Sequence, residues 1–265
     1  MTGSNNRDLT AEISRPHSAV NYSKDFFETY RDGSLRSARA VVPIILSYVP
    51  SRSVCDVGCG VGTWLRAFKE AGVAEIQGFD GDYVDRAMLQ IPAESFSPAD
   101  LAVPLKVSRQ FDLAISVEVA EHLPDTVARS FVSSVASLAP AIAFSAAIPG
   151  QGGHGHINEQ WPSYWAKLFL EQGYIAVDCL RPQIWDNEDI EFFYRQNILL
   201  YVKETQLRAY PGLAEAAKRM AGLPLDTVHP RQHAKDLARR PEEYLLDTLA
   251  KLPRLFKKAV ARRMP

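Results

Sequence analysis

The sequence predicts an α/β protein with a doubly wound, mostly parallel sheet, an N-terminal helical cap and a C-terminal helical extension. Short apolar runs alternate with helical patterns over residues 53–146, and this alternation is typical of parallel sheets. The run at residues 111–117 is apolar at nearly every position, as expected for a strand that is buried on both faces. A glycine-rich turn after the first apolar run indicates a ligand site at the edge of this sheet.

Length and composition limit the possible classes. The chain has 265 residues, 46% of them hydrophobic, so it can bury one sizeable core with appendages, and its net charge of −1 gives no bias toward nucleic acid. No apolar run approaches the roughly 20 residues that span a bilayer, and residues 1–18 lack the apolar core of a signal peptide. Three cysteines without metal-type spacing indicate buried thiols in a reducing compartment. We therefore expect a cytoplasmic protein.

The pattern divides the chain into three parts. These are a mobile segment with a helical cap (1–35), a ligand-binding domain (36–203) and a helical extension with a basic tail (204–265). The N-terminal helical pattern is expected to break at Asp32-Gly33. This segment either packs on the sheet or covers the ligand through Tyr22 or Tyr30. The pattern of the tail predicts a basic amphipathic helix. This helix either packs on its own domain or contacts an anionic membrane surface or a partner protein.

The ligand site is predicted from residues 53–64, SVCDVGCGVGTW. Gly58, Gly60 and Gly62 permit tight turns and let a ligand approach bare backbone. Their spacing differs from the dinucleotide pattern, and no basic residue follows them for a phosphate group. Asp56 within the turn suits an ammonium or a hydroxyl group. These residues predict a cradle for a small cationic ligand.

A second acid supports this site. The next predicted strand, residues 75–79, is followed by Asp80, about twenty residues after the glycines. An acid in that place can accept hydrogen bonds from both hydroxyls of a ribose. The two acids together favour a ligand that carries both a cationic group and a ribose.

The glycine motif resembles the first motif of the class I S-adenosylmethionine-dependent methyltransferases, (D/E)xGxGxG, and the resemblance extends over roughly residues 36–203. It implies a Rossmann-like sheet of seven strands that is completed by an antiparallel pair. It implies that S-adenosyl-L-methionine is the cofactor, bound by Asp56, Gly58, Gly60, Gly62 and Asp80. It also implies that Asp100, in the turn after the third strand, bonds the adenine amino group, although a solvated loop aspartate is the alternative.

The chemistry is expected in the loops after the fourth and fifth strands, because ligands of parallel sheets bind at the carboxyl ends of the strands. Three of the six histidines lie there, His122, His154 and His156. Glu118, Glu121 and His122 are spaced i, i+3, i+4, so one helical turn would point them the same way. Two carboxylates and an imidazole suit a divalent metal such as Mg²⁺ or Mn²⁺, with a histidine from the loop after the fifth strand completing the ligand set.

The EVxEH pattern of residues 118–122 is similar to that of two metal-dependent subgroups of the family. These are the ubiquinone-biosynthesis O-methyltransferases and the enzymes that methylate the 2′-hydroxyl at small-RNA 3′ ends. Resemblance to the RNA enzymes implies that His156, ahead of Glu159 and Trp161, completes a metal site. The loop is richer in glycine here, and the basic and aromatic elements of the RNA enzymes are not evident.

Three interpretations of this cluster remain open. A metal ion would bind a substrate hydroxyl and lower its pKa. His122 or His156 would instead act as a metal-free general base, with Glu118 as a third catalytic residue. The remaining interpretation is structural, with Glu121 and His122 capping the following helix.

We therefore expect an enzyme that transfers the methyl group of S-adenosylmethionine to a hydroxyl of a small polar acceptor. A sugar of a glycan or a natural product is favoured, because HINEQWPSYW and the later WDNxD and FYRQN patterns resemble methyltransferases that occur with glycan-assembly enzymes. A small-RNA terminal 2′-O-methyltransferase is an alternative, which the lack of a clear basic stripe disfavours. Another use of the cofactor, such as cyclisation, and a catalytically silent cofactor-binding subunit are further alternatives.

Overall fold

A seven-stranded sheet forms the centre of the protein. The computed structural model describes the backbone of residues 24–238 and the side chains of residues 33–238. The strands are β1 (Ser53–Val57), β2 (Glu75–Asp80), β3 (Phe96–Pro98), β4 (Leu113–Val117), β5 (Ala141–Ser145), β6 (Tyr174–Val177) and β7 (Leu199–Lys203). Their order is β3-β2-β1-β4-β5-β7-β6, with β1 to β5 parallel and β7 antiparallel to both of its neighbours. The predicted fold class is confirmed.

Eight α-helices surround the sheet in the described part of the chain. They are α1 (Lys24–Tyr48), α2 (Thr63–Glu70), α3 (Ala128–Leu138), α4 (Pro162–Glu171), α5 (Arg181–Ile184), α6 (Phe192–Asn197), α7 (Pro211–Met220) and α8 (Pro230–Ala238). Among the described residues, no helix combines the length and apolar character that crossing a bilayer requires.

Each face of the sheet has its own hydrophobic core. Neighbouring strand residues point to opposite faces, so Val54 of β1 packs with α1, α2 and α7, while Cys55 packs with α3 and α4. Phe144 of β5 anchors the second core, where its ring meets Trp165 and Phe169 of α4. A parallel sheet covered by helices on both faces leaves its strand ends as the place for a ligand.

Helix α1 continues through Asp32-Gly33, so the predicted break is wrong. A glycine inside a helix costs only about 1 kcal/mol relative to alanine, which packing can offset. A Cβ at Gly33 would lie 2.6 Å from Oε1 of Glu191, so the glycine lets α1 approach this segment closely. One turn later, the Ser37 hydroxyl accepts a hydrogen bond from the backbone N–H of Glu191 at 3.0 Å.

Two predicted segments lie outside what the structure describes. Tyr22 and the basic tail from residue 251 fall outside residues 24–238, and the side chain of Tyr30 is not described. The predicted cover of the ligand and the predicted membrane or protein contact of the tail therefore stay predictions. The two predicted boundaries between the three parts of the chain stay predictions as well.

Candidate active site

The turn after β1 is built from glycines in the left-handed region. Gly58, Gly60 and Gly62 have φ of 89°, 52° and 84°. A Cβ at Gly58 would lie 2.3 Å from the Val119 side chain, and one at Gly62 would lie 2.8 Å from Ile91. Backbone conformation and close packing both require glycine at these two positions. The glycines therefore allow Val119 and Ile91 to pack closely against the turn, and the predicted contact of the turn with a ligand stays a prediction.

Asp80, the last residue of β2, is bonded to this turn. Its Oδ2 accepts a hydrogen bond from the Gly60 N–H at 2.6 Å. Its Oδ1 accepts one from the Gly81 N–H at 2.6 Å and another from the Tyr83 hydroxyl. Burial raises the pKa of Asp80, while these donors oppose the shift. The carboxylate is thus held at the cradle before a ligand enters.

Asp56 and Asp100 have different surroundings. Asp56 is buried beneath the turn, and burial together with the charge of Asp80 raises the pKa of Asp56 well above its usual value. A cationic ligand nearby would favour its ionised form. Asp100 is exposed after β3, where its Oδ1 accepts a hydrogen bond from the Ala102 N–H at 2.9 Å. It lines an open depression of about 570 Å³, whose lining does not include the glycine turn or Asp80.

The loop after β4 begins with a strained residue. Glu118 has a φ of 56°, and among the described residues it is the only non-glycine residue with a positive φ. An L-residue in the left-handed region costs roughly 1–2 kcal/mol. The Glu118 N–H donates to the backbone oxygen of Ser145 at 3.0 Å and to its hydroxyl at 3.1 Å, which holds the backbone in place.

The single helical turn expected over residues 118–122 is not formed. A left-handed residue cannot begin a right-handed turn, and a short 3-10 helix starts later, at Ala120–His122. Glu118 is therefore outside the short helical turn, although its carboxyl still lies beside that of Glu121 and raises the pKa of Glu121 through its charge and a side-chain hydrogen bond.

Three of the four predicted metal ligands do lie together. One ligand atom each of Glu121, His122 and His156 lies within 4.8 Å of the others, and Glu118 is not part of this group. The two imidazole rings meet edge to face with centroids 4.9 Å apart. His156 Nε2 is 4.0 Å from Glu121 Oε1. His154, from the same loop, is exposed and also lies outside the group.

The electrostatics of this cluster favour a cation. Glu121 is fully buried, and neither of its carboxylate oxygens accepts a hydrogen bond of normal geometry from the described residues. Burial and the charge of Glu118 raise the pKa of Glu121 well above its usual value. Burial and the charge of His156 lower the pKa of His122 to about 4, so this imidazole is neutral at pH 7. A bound cation would stabilise the carboxylate and accept the neutral imidazole as a ligand.

Glu159 orients His156. His156 Nδ1 lies 3.1 Å from Glu159 Oε1, and Glu159 accepts hydrogen bonds from the N–H groups of Gly150 at 3.0 Å and Gly152 at 2.8 Å. A proton on Nδ1 leaves Nε2 with its lone pair toward Glu121, an arrangement that is common behind metal-binding histidines. The sequence signal for this role was the spacing of three residues between His156 and Glu159.

The sequence missed the partners of Glu118. Its Oε2 accepts a hydrogen bond from Gln151 Nε2 at 2.9 Å, and its Oε1 accepts one from Asn197 Nδ2 at 3.0 Å. Asn197 follows Glu118 by 79 residues, so no local spacing indicates the contact. Its place in the FYRQN pattern was the sole sequence signal.

Comparisons with known proteins identify the family of the chain. A family model described as a methyltransferase domain matches residues 27–178, which is more than half of the chain. A comparison with curated proteins finds no match. The chain belongs to this methyltransferase family, as a class I enzyme that uses S-adenosylmethionine. The predicted family and cofactor are confirmed, whereas the similarity to metal-dependent O-methyltransferases stays a prediction.

Solved structures show the same fold. The sugar N-methyltransferase KedS8 from Streptoalloteichus sp ATCC 53650 has a TM-score of 0.55 at 16% identity over 75% of this chain and 99% of its own. Magnesium protoporphyrin IX methyltransferase from Synechocystis PCC 6803 with bound SAH has a TM-score of 0.50 at 22% identity over 67% and 87%. The complex of the Trm112 activator and a putative methyltransferase from Haloferax volcanii has 0.50 at 15% identity over 72% and 99%. At these identities the likeness extends to the fold alone.

Proposed function

We propose that this methyltransferase acts on a hydroxyl group of a small polar acceptor, assisted by a divalent metal bound to Glu121, His122 and His156. The observation that carries this proposal is the fully buried Glu121 carboxylate, which lacks hydrogen-bond donors of normal geometry and faces two imidazoles. Buried carboxylates normally have well-aligned donors, and one that lies beside a second carboxyl, Glu118, and two imidazoles is best explained by a cation.

The donor set fits Mn²⁺ better than Mg²⁺. Mg²⁺ prefers oxygen ligands, whereas the cluster offers two imidazoles and one carboxylate. A bound metal would lower the pKa of an acceptor hydroxyl and fix its position. The chain's own residues perform the remaining tasks. The glycine turn and Asp80 hold the cofactor, and Glu159 fixes His156.

The acceptor is proposed to be a sugar. Trp161 lies five residues after His156 and is 38% exposed, which suits stacking on the apolar face of a sugar ring. Vicinal hydroxyls of a sugar would match a metal ion with open coordination positions. A sugar acceptor is consistent with the small polar acceptor that the sequence predicted.

A metal-free mechanism is the second candidate. The pairing of His156 with Glu159 at 3.1 Å resembles a histidine held by a carboxylate, the arrangement of many general bases. His122 is a poor base, since a pKa of about 4 is far below neutral pH. In this mechanism His156 accepts the hydroxyl proton directly.

Calorimetry of purified protein tests these proposals. Titration of S-adenosylmethionine and of Mn²⁺ into wild type, Glu121→Gln and His156→Ala should show Mn²⁺ binding that both substitutions weaken at least tenfold. His154→Ala is the matched control, because this histidine is in the same loop but outside the cluster. Mn²⁺ binding that survives both cluster substitutions would contradict the metal site. Cofactor binding without any metal binding would favour His156 as a general base.

A further inference from the structure

A buried chain of amides connects Glu118 to residues that follow the sheet. Gln196 Nε2 lies 3.3 Å from Gln151 Oε1 and 3.1 Å from Asn197 Oδ1, and Asn197 Nδ2 donates to Gln151 Oε1 at 2.9 Å. The three amide side chains are at most 4% exposed. The network ends at the Glu118 carboxylate, where Gln151 donates to one oxygen and Asn197 donates to the other.

The network continues into the segment before α8. The backbone N–H of His229 donates to Gln196 Oε1 at 2.7 Å. The His229 ring packs on Trp185 with centroids 4.7 Å apart, and its Nε2 lies 2.9 Å from the Trp185 backbone oxygen. This histidine is 4% exposed, so the connection lies inside the protein.

Helix α8 also holds the loop after β5. Gln232 Nε2 donates to the Gly150 backbone oxygen at 3.2 Å, and Lys235 Nζ donates to that of Gln151 at 3.0 Å. The N–H of Gly150 in turn donates to Glu159, which is bonded to His156. The same short helix therefore supports the loop that carries His156 and the amide that binds Glu118.

We propose that Gln151 and Asn197 are positioning residues that fix the Glu118 carboxylate, and that residues 229–235 complete the active site by holding them. Glu118 lies between the two halves of the site, because its neighbour Val119 packs against Gly58 and its charge acts on Glu121. Asn197 and residues 229–235 lie beyond the matched methyltransferase residues 27–178, so the family does not assign this role to them. The role of Glu118 in this inference rests on the proposed function. The support that residues 229–235 give to the site does not, so it can be tested separately.

A double-substitution cycle tests the positioning role. Asn197→Leu removes the donor at similar volume, and Glu118→Gln removes the charge that it holds. We expect each to weaken Mn²⁺ binding, measured by calorimetry with saturating S-adenosylmethionine, by about tenfold. If Asn197 acts through Glu118, the double variant binds Mn²⁺ no more weakly than Glu118→Gln alone. Effects that multiply to about a hundredfold, or no effect of Asn197→Leu, would overturn the role.

The control is Gln183→Leu, which removes an amide bonded to Tyr48 and Cys179 instead of Glu118. This variant should bind Mn²⁺ like the wild type. Thermal unfolding of all variants identifies those whose fold is lost. A loss of Mn²⁺ binding in Gln183→Leu equal to that in Asn197→Leu would show a general effect on stability and overturn the inference.

Hydrogen exchange of the full-length protein without ligand tests the part that does not depend on a metal. The N–H groups of Ile157 and Asn158 donate to the Glu121 backbone oxygen, and that of Gly150 donates to Glu159. Substituting Gln232 and Lys235 together by alanine should speed exchange at these three amides at least tenfold, while the amides of β1 and β2 stay unchanged. Unchanged exchange would overturn the support by α8. Failure of the wild type to bind Mn²⁺ would refute the metal in the proposed function, and hydrogen exchange alone would then decide the inference.

Discussion

The Tyr83 hydroxyl contacts the Asp80 carboxylate, which is expected to bind the ribose of the cofactor. It donates to Asp80 Oδ1, although its side chain is half exposed and can turn away. Tyr83→Phe should therefore tighten S-adenosylmethionine binding about threefold, since the ribose hydroxyl no longer competes for Oδ1. Calorimetry at pH 7 measures this effect, with Asp80→Asn as the control that weakens binding. Weaker binding by Tyr83→Phe would instead show that the hydroxyl helps to hold Asp80 for the cofactor.

His122 links the stability of the protein to pH. Burial and the charge of His156 lower its pKa from 6.5 to about 4. Between these values the unfolded chain takes up a proton that the folded protein does not, so the free energy of unfolding decreases as the pH falls from 6.5 to 4. The neutral imidazole contributes its full effect above pH 6.5, and about 3 kcal/mol is lost by pH 4.

Urea unfolding at intervals from pH 7 to pH 4 measures this dependence. Carboxyl groups titrate in the same range, so wild type is compared with His122→Asn, which retains a polar group but does not titrate. The variant should lose less stability over this range than the wild type. Parallel pH profiles of the two proteins would contradict the assignment.

At the scale of elements, the turn after β1 and the loop after β4 depend on each other. Gly58→Ala should cost about 3 kcal/mol of the free energy of unfolding and weaken cofactor binding, because it combines backbone strain with a contact 2.3 Å from Val119. Gly72→Ala should cost about 1 kcal/mol, since its φ of 94° is similar but nothing lies within 4 Å. Urea unfolding separates the two.

Val119→Ala provides a further check of this contact. Adding it to Gly58→Ala should restore part of the lost stability, because the clashing methyl groups are removed. A double variant whose loss equals the sum of the two single losses would show that the contact is not the cause.

The same scale shows what the sequence could predict of the site. Two neighbouring strands carry or adjoin the glycines, Asp56 and Asp80. The spacing of these residues was therefore enough to predict that they lie together. The left-handed backbone of Glu118 is not visible in its spacing, and it leaves this residue outside the group that Glu121, His122 and His156 form, although its charge still acts on Glu121. The donors to Glu118 were missed because contacts between distant segments leave no periodic pattern.

At the scale of the molecule, the fold was easier to predict than the site. Apolar runs predicted strands at residues 75–79 and 111–117, and their bounds differ from those of β2 and β4 by at most two residues at either end. The antiparallel placement of β7 came from resemblance, since nothing in its composition sets its direction. The continuous α1 was missed because the sequence shows a glycine but not the segment that packs against it.

Arg181 joins the sheet to the segment that leads to α8. It is 2% exposed, pairs with Asp178, and donates to the backbone oxygens of Gln196 and Leu225 and to the Thr227 hydroxyl. Arg181→Met should cost about 3–4 kcal/mol of the free energy of unfolding, because it leaves a carboxylate and two carbonyls without donors. Urea unfolding measures this loss, and limited proteolysis should locate faster cleavage after β7. Unaltered stability would show that water replaces the guanidinium without penalty.

The place of β7 has a consequence for synthesis. It lies between β5 and β6, although it follows both along the chain. A nascent chain that has reached residue 178 therefore holds β6 without its sheet partner and leaves the edge of β5 open. Such an edge pairs readily with a neighbouring chain. The sheet can therefore close only after residues 199–203 have left the ribosome, and the edge of β5 stays open until then.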